Sequence, residues 1–185
     1  MGSKLKLLGF LINKELAEKK VSSTNGFLYH HLKNKDAVVE IIDVNLKGIR
    51  NKINIIKNIS INYEVWMFKV MLDVERKKMM SKLAQEGVMA LPKNKEFNAV
   101  LQIGSEFSLN SVKELKHVPR FSYHDNNILA YLQSDHKKPY LPERISDSIN
   151  FEKSIYDELD GIFTMTDFLR QVFVKGFKIP ENKVL

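Results

Sequence analysis

Apolar residues along this chain follow two spacings, and the two alternate. Lys4–Ile12 is a near-continuous apolar run, dense enough for a strand buried on both faces. A polar loop over Asn13–Asn25 follows, Gly26 opens a helix over Phe27–Lys33, and Val38–Val44 is a second strand. In Gly48–Asn58, Ile49, Ile53 and Ile56 fall on one helical face and Arg50, Lys52 and Lys57 on the other. Ile59–Trp66 fits a short strand. The strongest helix is predicted over Phe68–Glu86, with Phe68, Leu72, Met79 and Leu83 as its apolar stripe and Gly87 and Pro92 at its end.

The same alternation runs through the second half. Phe97–Ile103 and Arg120–His124 read as strands, and Asp125–Leu132 as a helix. Tyr140–Ile149 is irregular at first, beside Pro139 and Pro142, and a helix covers Asn150–Glu158. Gly161-Ile162-Phe163 ends a last strand. Thr164 to Asp167 offer oxygens to the free N–H groups of a helix start, and Phe168, Leu169, Val172 and Phe173 recur at helical spacing. Gly176 stops that helix and Pro180 prevents its continuation. Strands alternating with helices predict an α/β fold, a Rossmann-like open and mainly parallel sheet with helices on both faces. Residues 1–185 then form one domain.

Composition changes this picture in two respects. The chain has no cysteine, which excludes a disulfide framework, a cysteine zinc site and a thiol nucleophile. Its net charge of +7 is uneven: residues 1–58 hold 11 Lys/Arg against 5 Asp/Glu, whereas residues 101–185 hold 11 against 12. A basic first third suits an anionic partner, and also suits mere solubility. Nucleic acid is the less favoured partner, because the basic residues are not interleaved with aromatics and no nucleic-acid motif is present. No metal site is expected, since His30 and His31 are adjacent on a helix and point about 100° apart.

In an open parallel sheet, ligands bind beyond the carboxyl ends of the strands. Four places meet that rule. Asn25 and Gly26 follow the first strand, where a glycine lets a ligand approach a helix start, although one glycine is less than a phosphate-binding motif and a plain cap with no ligand is the favoured local reading. Gly104 and Ser105 end the third strand. His124 and Asp125 end the fourth, in a run of polar residues where an imidazole can exchange a proton near neutral pH, although a lone histidine at a strand end is more often structural. Thr166 and Asp167 follow the fifth, where capping alone accounts for them.

These residues carry a resemblance. Val-Leu-Gln-Ile-Gly-Ser at 100–105, Phe-Ser-Tyr-His-Asp at 121–125 and Ile-Phe-Thr-Met-Thr-Asp-Phe-Leu-Arg at 162–170 occur in an order and spacing similar to the N-terminal, acceptor-side domain of retaining glycosyltransferases of the GT-B fold. It covers residues 97–185 well and 4–44 loosely, while 45–96 matches nothing in that family.

The resemblance implies a hexosyltransferase lobe acting on a glycan or lipid-linked acceptor. The nucleotide-sugar is then a co-substrate, and no further cofactor is needed. It places His124 and Asp125 at the reaction centre, and Asn25, Gly26, Gly104, Ser105, Thr166 and Asp167 around the substrates. The single Gly26, where relatives often carry two glycines, departs from the pattern at the phosphate loop. The family's donor-binding half, with its Arg-Lys pair and E-x7-E segment, is expected beyond Leu185, so this chain alone is expected to be inactive. A cytoplasmic lobe, peripheral on the inner membrane face, would dock through Arg50, Lys52 and Lys57, with Arg76, Lys77, Lys78 and Lys82 adding attraction. The apolar face of 48–58 is equally well read as core. The alternative to an enzyme is a non-catalytic module that binds an anionic surface or ligand.

Overall fold

The computed structural model describes residues 4–14, 24–134 and 138–185, without the side chains of Thr24 and Asn25. Five strands, β1 (Leu7–Leu11), β2 (Val38–Asp43), β3 (Ala99–Ile103), β4 (Arg120–His124) and β5 (Gly161–Thr164), form one sheet in the order β2-β1-β3-β4-β5. Every pairing is parallel. Among the described residues the α-helices are α1 (Thr24–Asn34), α2 (Gly48–Lys57), α3 (Tyr63–Met71), α4 (Val74–Met89), α5 (Ile128–Gln133), α6 (Pro142–Asp157) and, after the last strand, α7 (Asp167–Gln171). α7 runs on as a π-helical turn over Val172–Gly176. This is the Rossmann-like α/β architecture expected from the alternation. The polar loop predicted over Asn13–Asn25 lies mostly outside the described residues.

Alternate residues of each strand face opposite layers, which is why the strands read as continuous apolar runs. From β1, Leu8 and Phe10 pack with Met80, Ala84 and Val88 of α4. Leu7 and Leu11 face the other way, toward Leu28 and Tyr29 of α1. A second cluster on the α4 side joins Ile155 and Tyr156 of α6 to Ile162 of β5 and to Phe173 and Phe177 of the C-terminal segment. Two glycines permit close layer contact. A Cβ on Gly9 would lie 2.6 Å from the Tyr29 ring, and one on Gly87 would lie 2.5 Å from Ile42. The chain's last residues run beside β5, with the Leu185 amide donating to the Ile162 carbonyl at 2.8 Å.

Four local expectations are corrected. The single helix over Phe68–Glu86 is two helices, broken at Leu72–Asp73, because the Asp73 side chain accepts from the Arg76 amide and caps α4. α4 runs on through Gly87, which is a packing glycine and not a stop. Ile59–Trp66 is no strand: Asn62 accepts from the amides of Glu64 and Val65 and starts α3 there. The irregular stretch Tyr140–Ile149 is largely helical, since Pro142 occupies the first turn of α6, where a missing N–H costs nothing.

α2 is the most unusual element. Its buried face is polar. Asn54 donates to Asp73 at 2.9 Å, Asn51 accepts from Arg76 at 2.7 Å, and Asn58 accepts from Arg144 at 2.6 Å. Ile49, Ile53 and Ile56 are 74%, 61% and 65% exposed. The core reading of that apolar face is therefore overturned.

Candidate functional site

The strand order reverses direction at β1: the chain passes to β2 on one side and to β3 on the other. Ligands of such sheets bind at this switch point, outside the carboxyl ends of the strands. A cleft of about 240 Å3 lies there, reached by Ile12 after β1 and Ile103 at the end of β3. Gly104, Ser105 and Glu106 form one wall, and Asp125, Asn126 and Asn127 another. The floor is made by Lys77 of α4 with Ser148 and Glu152 of α6.

Each wall has a local cause. Gly104 has a φ of +74°, a left-handed conformation that turns the chain sharply out of β3. The Gln102 side chain donates to the Gly104 carbonyl at 2.9 Å and holds that turn. Asn127 caps α5, its Oδ1 accepting from the Ala130 amide at 2.8 Å. The other end of that amide, Nδ2, is buried and has no hydrogen-bond partner among the described residues. A buried donor left unpaired is costly, and this one belongs to a residue that lines the cleft.

Beneath the cleft is a charged network. Lys77 and Glu152 are both buried, and their charged atoms lie 3.4 Å apart. Lys77 also donates to Ser148 at 3.0 Å. The second oxygen of Glu152 accepts from the Ile128 amide at 3.1 Å and from the Tyr156 hydroxyl at 3.0 Å. Ser105 also acts on this phenol and opposes the rise in its pKa. Burial pushes the Tyr156 phenol well up, and the Glu152 charge pushes it further. Burial likewise pushes the Glu106 carboxyl above the usual carboxylate range; Lys77 opposes this and Glu152 adds to it. The cleft thus holds a carboxyl that takes a proton more readily than an exposed glutamate does.

The expected site residues divide. Gly104, Ser105 and Asp125 come together in this cleft. His124 does not join them, a correction to its expected place at an open rim. It is 1% exposed, packed edge-on against Tyr156 and Phe173 with ring centroids 5.3 and 5.1 Å away. Burial lowers its pKa to about 3, the Asn126 backbone opposing, so it is neutral at neutral pH. The physical reason is the alternation of β4: Ser122 and His124 point into the aromatic layer, and Nε2 pairs with the Ser122 hydroxyl at 2.9 Å.

Gly26 lies in the first turn of α1 and lines a separate cavity with Lys14 and Tyr29. The Asn25 side chain lies outside the described residues. Thr166 and Asp167 are exposed at the start of α7, away from the cleft, and Thr166 accepts from the Leu169 amide at 3.2 Å as a cap. Arg50, Lys52 and Lys57 are exposed on α2, whereas Lys77, expected to add to a basic surface, is buried in the floor.

Glu106, Asn127, Lys77 and Glu152 complete the cleft without having been singled out as site residues. For Glu106 and Asn127 a signal existed, since each directly continues a polar run at a strand end. For Lys77 and Glu152 none did, because both sit within charged stretches typical of solvated helices.

Fold and cleft together define a Rossmann-like α/β architecture with a polar cleft at its switch point. No protein-family model and no curated protein matches the chain. Among the described residues no group of His, Asp and Glu is arranged to hold a metal ion, and no helix is long and apolar enough to cross a membrane.

Proposed function

We propose that this chain is the acceptor-side lobe of a nucleotide-sugar-dependent glycosyltransferase, moving a hexosyl group to a glycan or lipid-linked acceptor. On this reading a second lobe supplies the donor-binding site. The observation that carries the proposal is a switch-point cleft lined by carboxyls, hydroxyls, amides and the Lys77 ammonium, one of whose residues, Asn127, keeps a buried N–H donor unpaired among the described residues. A sugar presents hydroxyl groups that both accept and donate, which is what that mixture requires. In transfer, the acceptor oxygen bonds to the anomeric carbon as the bond to the nucleoside diphosphate breaks, and the acceptor's proton must leave. Glu106, its carboxyl held above the usual carboxylate range by burial, and Asp125 on the rim would take it. His124 keeps a supporting role beneath them.

The test is a titration of the labelled chain with hexoses and short oligosaccharides standing in for the acceptor, followed by amide chemical shifts. Saturable shifts confined to 104–106 and 125–128 are expected. Asn127→Asp keeps the cap oxygen and removes the free N–H donor, so it should weaken binding about tenfold at an unchanged melting temperature. Glu106→Gln should weaken binding too, yet raise stability at neutral pH, because a carboxyl with a raised pKa costs stability once ionised. No shifts at these amides, or an Asn127→Asp protein that binds as before, would refute the reading.

A further inference from the structure

The switch-point cleft is acidic, although the protein around it is basic. Across the chain 29 Lys/Arg outnumber 22 Asp/Glu. Among the described residues that line the cleft the balance is reversed: Glu106, Asp125 and Glu152 bring carboxyls, and Lys77 alone brings a cation. Lys77 does not offset the walls. Its ammonium is buried in the floor, 3.4 Å from Glu152, and donates to Ser148 at 3.0 Å, so the two floor charges answer each other. Glu106 and Asp125 are left over, facing a concave surface where water screens charge less than it does on an open face.

Glu106 is the more constrained of the two. It is half-buried, and among the described residues its carboxyl has neither an ion pair nor a hydrogen bond; Lys77 and Arg76 act on it only through their charge. A carboxylate drawn out of water without a partner is costly, and a ligand that brings a positive charge removes that cost. The neutral groups describe the rest of the ligand. Asn127 keeps a buried donor unpaired, and Ser148 and Asn126 add groups that donate and accept, a set suited to hydroxyls. A phosphate or carboxylate would instead meet two like charges, with the cleft's cation already engaged. We infer that this cleft takes a polyol bearing a free ammonium group, a hexosamine acceptor in preference to a neutral or acidic sugar, a claim that rests on the hexosyl reading for its ring and on the charge of the cleft for its amine. Glu106 would receive the ammonium, and Asp125 on the rim would add attraction. The same walls would repel a nucleoside diphosphate, which suits a donor site supplied by a second lobe.

The experiment titrates the labelled full chain near neutral pH with glucosamine, glucose, N-acetylglucosamine and glucuronate. They share a pyranose ring and differ in charge, glucosamine being largely protonated there and glucuronate ionised. Amide shifts at 104–106 and 125–128 report binding. Glucosamine should bind about tenfold more tightly than glucose, the gain of a charge-assisted hydrogen bond over a neutral one. N-acetylglucosamine keeps the nitrogen without its charge and should bind no better than glucose, and glucuronate should bind worst. Added salt should shrink the lead of glucosamine and leave glucose unaffected. Glu106→Gln should bring glucosamine down to the affinity of glucose in the same variant, and a melting temperature no lower than before will show that it folds. Equal affinities for glucosamine and glucose, a tighter glucuronate, or a lead that survives in Glu106→Gln would overturn the inference. Ethanolamine, an ammonium and a hydroxyl without a ring, separates this failure from that of the hexosyl reading. If ethanolamine moves these amides and no hexose does, the ammonium site stands and the hexosyl reading fails; if neither moves them, both fail.

Discussion

Asn54 of α2 donates to Asp73 at 2.9 Å, and both residues are buried. Asp73 stands at the N-terminus of α4, so one carboxylate both caps a core helix and holds the neighbouring helix by its polar face. Burial alone would raise the pKa of Asp73. The Asn58 amide, the Arg76 N–H and the Asn54 amide outweigh it and hold the carboxyl below its usual range. The outward orientation of Ile49, Ile53 and Ile56 depends on this small network.

Asp73→Ala should therefore cost about 2–4 kcal/mol, since it removes a cap and leaves the buried Asn54 amide without its acceptor, while the Asn58 amide keeps only the Asn54 carbonyl. Urea denaturation measures the loss. Hydrogen exchange should show α2 losing protection before α4 does. Uniform loss across both helices would mean that the network does not hold α2 in particular.

The Lys77–Glu152 pair predicts strong coupling. Lys77→Met leaves a buried carboxylate without its cation and should cost about 3–5 kcal/mol. Adding Glu152→Gln, which keeps an oxygen for the Ile128 amide and the Tyr156 hydroxyl, should restore part of that loss. A double-mutant cycle reads the difference, and strictly additive losses would show that the two charges do not interact.

His124 predicts an acid-side slope in stability. Its folded pKa of about 3 lies below the ordinary value of 6.5, so between those limits the unfolded chain binds more protons than the folded one. Stability should then fall as pH drops below that ordinary value, by up to about 1.4 kcal/mol per pH unit from this group alone. His124→Gln should flatten the dependence in that window. An unchanged slope in the variant would mean that the imidazole is not held neutral.

Much of the fold was legible because it rests on local patterns. Arg120–His124 is a strand as expected, and so is the core of Leu7–Leu11, since apolar residues on both faces of a short run admit little else. The Thr166 cap could be read from its side-chain chemistry. The break in the long helix was hidden, because Asp73 looks like any charged helical residue until its amide partners are known. Of the cleft, Gly104, Ser105 and Asp125 could be found from the strand-end rule, because parallel strands bring all their carboxyl ends to one edge.

The sequence by itself determined the alternation of strands and helices, the parallel sheet and the edge at which a ligand would sit. Those follow from periodicity and chain connection, which act over a few residues at a time. Only the tertiary structure decided which side chains face the cleft. A one-residue step along β4 separates Asp125 on the rim from His124 in the aromatic core, and the packing of Tyr156 and Phe173 settles which is which. It alone decided that α2 turns its asparagines inward. An amphipathic pattern defines two faces, but the choice between them belongs to the partners across the interface, here Asp73, Arg76 and Arg144.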